Sequence, residues 1–155
     1  MGQQQLLLVI LVTIIVGIAT VVAINTFGTA ADAANIDSVR QDVASFASAA
    51  QGYYLKPRML GGGGRSFEGI TFRDVAFASQ GIEDGTTAWN INGKYVITEV
   101  SSGQITMEAH PSSRIPGGIS DRASTAPGDA SEGDGVLTAY ICANNLTWEN
   151  PCSTE

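Results

Sequence analysis

Residues 6–24 form nineteen consecutive positions of Leu, Val, Ile and Ala, broken only by Thr13, Gly17 and Thr20. No charged side chain and no proline precedes Asp32. As a helix rising about 1.5 Å per residue, such a run matches the ~30 Å hydrocarbon core of a bilayer. Water cannot cover it, so lipid or other apolar helices must. Every other reading of the chain has to accommodate that requirement.

The run is preceded by Met1-Gly2-Gln3-Gln4-Gln5, without Lys or Arg, and is longer than the apolar region of a secretory signal. It leads into an amphipathic stretch. Ile36, Val39, Val43, Phe46, Ala50 and Tyr53 recur three or four positions apart, with Asp37, Arg40, Gln41, Asp42, Ser45 and Ser48 on the other side. Pro57 stops the pattern. Residues 3–56 are therefore expected to form one helix of roughly 80 Å, longer than any bilayer needs. Its second half should pack on the chain's own domain. Gly17 and Gly28 are the expected weak points, each costing roughly 1 kcal/mol relative to Ala. Around Gly17, the β-branched neighbours Ile14, Ile15, Val16, Ile18, Thr20, Val21 and Val22 lower the propensity further.

Three segments follow from this reading: an apolar helix at 1–31, an amphipathic helix at 32–58 and a β-rich head at 59–155, making an α+β fold. Gly61-Gly62-Gly63-Gly64 reads as a hinge. Residues 67–77 are expected to cover the helix with Phe67, Ile70, Phe72 and Phe77, as a short strand or a turn of helix. Residues 80–85 read as loop. Asn92-Gly93 between two apolar-containing runs is the strongest hairpin cue, since a type I′ turn needs positive φ twice. Ser101-Ser102-Gly103 makes the next turn, and residues 104–109 alternate apolar and polar. A meander of antiparallel strands results. Residues 111–134, rich in Ser, Gly, Pro, Ala and Asp, form a long loop, and 136–142 is the last firm strand.

The net charge of −7 lies in the head: residues 32–58 are balanced, whereas five basic and twelve acidic residues follow Met59. This argues against nucleic-acid binding, which requires Lys and Arg to replace phosphate counterions. Cys142 and Cys152 have nine residues between them, a spacing unsuited to CxxC redox chemistry, and no second pair supports zinc. A disulfide in an oxidising, extracytoplasmic compartment is expected. His110 has no Ser or Cys partner nearby, and no nucleophile, base and orienting group can be assembled, so the chain is not read as an enzyme. Asp129, Glu132 and Asp134 do not follow calcium-loop spacing. Gly61 to Gly64 lack the Gly-Lys-Ser/Thr ending of a phosphate loop. No metal or cofactor is assigned. Asn145-Leu146-Thr147 is a glycosylation sequon.

A long helix, half apolar and half amphipathic, followed by a small antiparallel sheet and a C-terminal disulfide loop, resembles the type IV pilins and pseudopilins across the whole chain. The most specific local element is Gly2 followed by Gln3-Gln4-Gln5-Leu6-Leu7-Leu8, which looks like the prepilin peptidase boundary. Cleavage after Gly2 would make Gln3 the first residue. Leu7 would then stand where the family usually has a glutamate, and the amides of Gln3, Gln4 and Gln5 would offer neutral hydrogen bonds to the terminus. The first residue is not aromatic, no basic leader is present, and the helix lacks the family's bending proline.

The resemblance implies an extracellular, cell-surface filament in which copies bundle their apolar helices. Gln3, Leu6, Leu7, Leu8, Ile10, Leu11, Ile14, Ile15, Ile18, Val21 and Val22 would supply the core. The implied partners are copies of the chain, the inner membrane before assembly and a pilus-assembly machine. Because lipid is as apolar as a helix bundle, transfer between them gains little, and a machine must drive it. The alternatives are a minor pseudopilin of a secretion or uptake apparatus, and a singly anchored surface protein whose head binds a ligand.

Overall fold

The structure is a computed structural model describing residues 2–114, 136–148 and 150–152. It is an α+β fold: one N-terminal helix, a six-stranded antiparallel sheet and a disulfide between Cys142 and Cys152. The helix, α1 (Gly2–Leu55), is 54 residues long and helical through Gly17 and Gly28. Two compact units divide the chain, Met1–Ala34 and Asn35–Glu155.

In the first unit the described residues are almost all exposed, the large apolar ones from 47% at Ile10 to 75% at Phe27. By length and composition α1 could cross a membrane, and none of its most apolar 18-residue window is buried.

The second unit has its own core. The strands are β1 (Gly81–Glu83), β2 (Thr87–Trp89), β3 (Gly93–Val100), β4 (Gln104–Pro111), β5 (Leu137–Cys142) and β6 (Leu146–Thr147). They pair in sequence order, each antiparallel to the next, so neighbours in the sheet are also neighbours in the chain. Alternation along β4 buries Ile105, Met107, Ala109 and Pro111. In β3 every residue from Gly93 through Ile97 is buried. A register shift between Ile97 and Glu99 then ends that burial, and the last three residues are exposed.

Val39, Val43, Phe46, Ala47 and Ala50 are the buried residues of α1, and Tyr53 packs at the edge of the same core. Ile36 is half-buried, and Ala47 extends the face that the heptad-like spacing outlines. Residues 67–77 form neither strand nor helix but a chain of turns, which lays Phe67, Ile70 and Phe72 into the core. Aromatic rings join the layers: Phe46 lies 4.9 Å from Phe72 and 5.9 Å from Phe77, and Phe77 meets Tyr95 edge-on at 5.1 Å.

Three local expectations are corrected. Residues 81–83 are a strand, not loop, and the turn that follows has positive φ at both Asp84 (52°) and Gly85 (77°). The backbone that a primed hairpin turn demands therefore occurs at Asp84-Gly85. At Asn92-Gly93 neither residue has positive φ. There the connection is a wider loop closed by Asn90, whose Oδ1 accepts from the amides of Asn92 (2.9 Å) and Gly93 (3.1 Å). Finally, residues 111–114 continue the fold: Pro111 ends β4 buried, and Ser112–Arg114 form a 3-10 turn. The remainder of the loop expected at 111–134, with Asp129, Glu132 and Asp134, lies outside the described residues.

The segment read as a hinge is a hydrogen-bonded cap on the helix. The amides of Gly62, Gly63, Gly64 and Arg65 donate to the carbonyls of Pro57, Tyr53, Lys56 and Tyr54 at 2.8–3.2 Å. They satisfy carbonyls that a helix C-terminus leaves open. Gly62 and Gly63 are buried, and a Cβ at either would overlap a backbone carbonyl oxygen, that of Lys56 or Ser66. Backbone approaches backbone too closely here for any side chain.

Candidate functional site

Two features concentrate chemistry: the apolar surface of α1, and a polar junction between α1 and the sheet.

The residues expected to form a filament core, Leu6, Leu7, Leu8, Ile10, Leu11, Ile14, Ile15, Ile18, Val21 and Val22, all have half or more of their surface open or nearly so; Ile10 is lowest at 47%. Gln3 is exposed with them, and Gly17 and Gly28 have nothing within 4 Å of where a Cβ would stand. The polar atoms of this surface are turned inward on the helix. Thr13 donates to the Ile10 carbonyl at 2.8 Å, Thr20 to Val16 at 2.8 Å, and Thr26 to Val22 at 2.9 Å. Each hydroxyl proton is satisfied by the preceding turn. The run can therefore enter an environment without water and leave no threonine donor unmet.

The junction centres on Asp42. Its Oδ2 accepts from Asn90 Nδ2 (2.8 Å), Asn92 Nδ2 (2.8 Å) and the Tyr95 hydroxyl (2.6 Å). Asn90 Nδ2 also reaches the Ala78 carbonyl at 3.3 Å. About two turns earlier, Asn35 donates to the Asn92 carbonyl (2.9 Å) and Ser112 Oγ (3.2 Å), and accepts from the Ser113 amide (3.1 Å). Asp42 is thus half-buried against the sheet, not on the solvent side where the helical spacing put it. Three donors hold the carboxylate there, which is how a charge tolerates partial burial. Nothing in the spacing of apolar residues marks this site; the signal was Asn90, Asn92 and Tyr95 crowded within one hairpin.

A second tie lies at the other end of the head. Gln51 Nε2 donates to the Cys142 carbonyl at 3.3 Å, beside the bridge to Cys152, whose Cα atoms are 5.8 Å apart. Cys152 donates its amide to Gln104 Oε1 at 2.8 Å, so the tail is fixed on β4. Asn145 is exposed in the turn between β5 and β6, where its carbonyl accepts from the Cys142 amide. The sequon side chain is therefore open to solvent.

On the sheet face away from α1, Lys94 and His110 are cross-strand neighbours. Burial lowers the Lys94 pKa, against the opposing charge of Glu83. Burial also lowers that of His110, opposed by Glu108 at 3.9 Å and reinforced by Lys94. A shallow cleft lined by Arg40, Leu137, Thr138 and Trp148 is open to solvent. Among the described residues, no three His, Cys, Asp or Glu side chains gather as a metal site would require.

No family model, curated protein or solved structure matches the chain.

Proposed function

We propose that this chain is the structural subunit of an extracellular helical filament resembling a type IV pilus. Copies would assemble by bundling residues 6–24. The observation that carries this reading is the pairing of an apolar helical surface, exposed all round with its threonine donors satisfied internally, with a separately cored, disulfide-bonded head. A lone membrane anchor would need only about 20 residues of apolar helix. Here the same helix continues to Leu55 and becomes the spine of the head. Lipid holds the run before assembly, and a bundle of identical helices holds it afterwards.

The test is negative-stain microscopy of material sheared from cells, with and without the protein. Thin fibres containing the intact chain, and absent from the deletion strain, are expected. Fibres unchanged by deletion would sink the reading. A detergent-bound monomer with lipid around residues 6–24 would favour a singly anchored surface protein. A trace component of otherwise normal fibres would favour the minor-pseudopilin alternative.

A further inference from the structure

The head has two dissimilar ends, set by α1. One end, near Asn35, holds the 90–93 loop and the turn after Pro111. The other, near Leu55, holds the glycine cap, the β3–β4 turn that accepts from the Phe67 amide, and the disulfide. About 30 Å of helix separates them.

The Leu55 end carries an uncovered apolar cluster: Met59 is 98% exposed, Leu55 72% and Leu60 66%. Lys56, Arg58 and Arg65 lie in the same segment, and no acidic residue lies between positions 55 and 65. Among the described residues none of these three cations forms an ion pair. This is the one basic segment of a head that is otherwise strongly acidic. The Asn35 end presents the complement. Ile91 is 66% exposed there, and the side chain of Asp37 is 76% exposed. Asp37 makes a 3.6 Å contact to Arg40, itself more than half exposed, and such surface pairs exchange at little cost.

The geometry points to a head-to-tail contact between copies of this chain, with the basic apolar end of one head seated on the Asp37 and Ile91 end of the next. Both halves of the contact are on one chain but on different surfaces, so it is heterologous. A repeated heterologous contact that does not close into a ring propagates as an open filament. Apolar side chains would form its dry centre and charge would fix its direction. This rests on the filament reading and adds to it a second, axial contact made by the heads rather than by the apolar helices.

Chemistry already in the wild-type chain allows the test, because its lysines are Lys56 and Lys94 and Lys94 is buried. Filaments grown from mixed light and heavy nitrogen-labelled protein are treated with a carbodiimide, which joins amines to carboxylates in direct contact, and are then digested and analysed by mass spectrometry. The expected product is a mixed-isotope peptide pair joining Lys56 to Asp37. In parallel, Lys56→Glu with Met59→Asp should shorten filaments by at least about fivefold, as loss of a contact worth about 1 kcal/mol or more would. Adding Asp37→Lys should restore part of that length. Circular dichroism should stay unchanged, since both altered side chains are exposed. Intact filaments in which Lys56 links elsewhere, or not at all between copies, would overturn the contact and leave the filament reading standing. A wild-type chain that never leaves the monomeric state would overturn both.

Discussion

The Tyr95 hydroxyl donates a 2.6 Å hydrogen bond to Oδ2 of Asp42, a residue 53 positions earlier in the chain. Helix and sheet are thereby joined at a defined height: Val39 and Val43 flank Asp42 on α1, and Tyr95 sits fully buried in β3. Apolar packing alone would let the helix slide along the sheet. The directional bonds at Asp42 and Asn35 oppose that, and Gln51 repeats the constraint at the far end.

Removing the carboxylate should be costly. Asp42→Ala removes the acceptor that three donors share and leaves Asn90 and Tyr95 their longer contacts, to the Ala78 carbonyl (3.3 Å) and Asn90 Oδ1 (3.4 Å), so a loss of about 2–4 kcal/mol is expected. Asp42→Asn keeps one oxygen and should lose less. Tyr95→Phe removes one bond to a charged acceptor and should lose about 1.5–3 kcal/mol. Denaturant titration of the detergent-solubilised chain, followed by the fluorescence of Trp89 and Trp148, would measure all three. Equal stability of Asp42→Ala and wild type would contradict the junction described above.

The glycines separate by position. Ala at Gly62 or Gly63 would overlap a carbonyl oxygen, and each should destabilise the head by about 1–3 kcal/mol, the usual range for overpacking. Ala at Gly52, inside α1 with open space around it, should stabilise by about 0.5–1 kcal/mol. Opposite signs from one substitution type, read in a single set of thermal melts, would distinguish the cap from ordinary helix.

Acid should weaken the head through His110. Its pKa is lowered in the folded chain, chiefly by burial, below the usual value of about 6.5. As pH falls, the unfolded chain therefore takes up this proton first. The histidine's contribution is intact above about pH 6.5 and declines below it until the folded imidazole is protonated as well. Stability measured in steps from pH 8 to 5 should fall at the acid end, and His110→Gln should flatten that portion of the curve (its range bracketing the ordinary histidine pKa).

Reduction of the Cys142–Cys152 bridge opens a short loop. Chain entropy predicts a loss of about 3 kcal/mol. The paired Cys142→Ala, Cys152→Ala variant should match the reduced protein in a denaturant titration. Gln104, which holds the Cys152 amide, should lose protection from hydrogen exchange before the middle of β4 does.

Periodicity exposed the larger elements and hid the polar ones. The apolar run, the Val39 to Ala50 face and the alternation in β4 follow from repeats of 3.6 and 2 residues, and the structure has them where those repeats put them. Turn chemistry was less direct. Asn92-Gly93 looked like a primed turn, but the Asn90 side chain closes a wider loop there. Asp84-Gly85, in a stretch whose composition reads as loop, has the positive dihedrals instead. Dipeptide preference cannot weigh a side chain two residues away. The glycine run failed as a hinge for a similar reason: its role depends on the Tyr53, Tyr54 and Lys56 carbonyls that the helix end leaves open. Asp42 was misplaced because an acidic residue next to a buried face looks solvated until its donors, some fifty residues later, are known.

The tie from Gln51 to Cys142 spans 91 positions. A ribosome adding about 5–20 residues each second releases the Val39 to Ala50 face several seconds before β5 exists to help cover it. Over that interval the head cannot close, because β5 and the residue that Gln51 will bind have not been made. Birth order alone thus makes the apolar run available to its surroundings before the head can be completed.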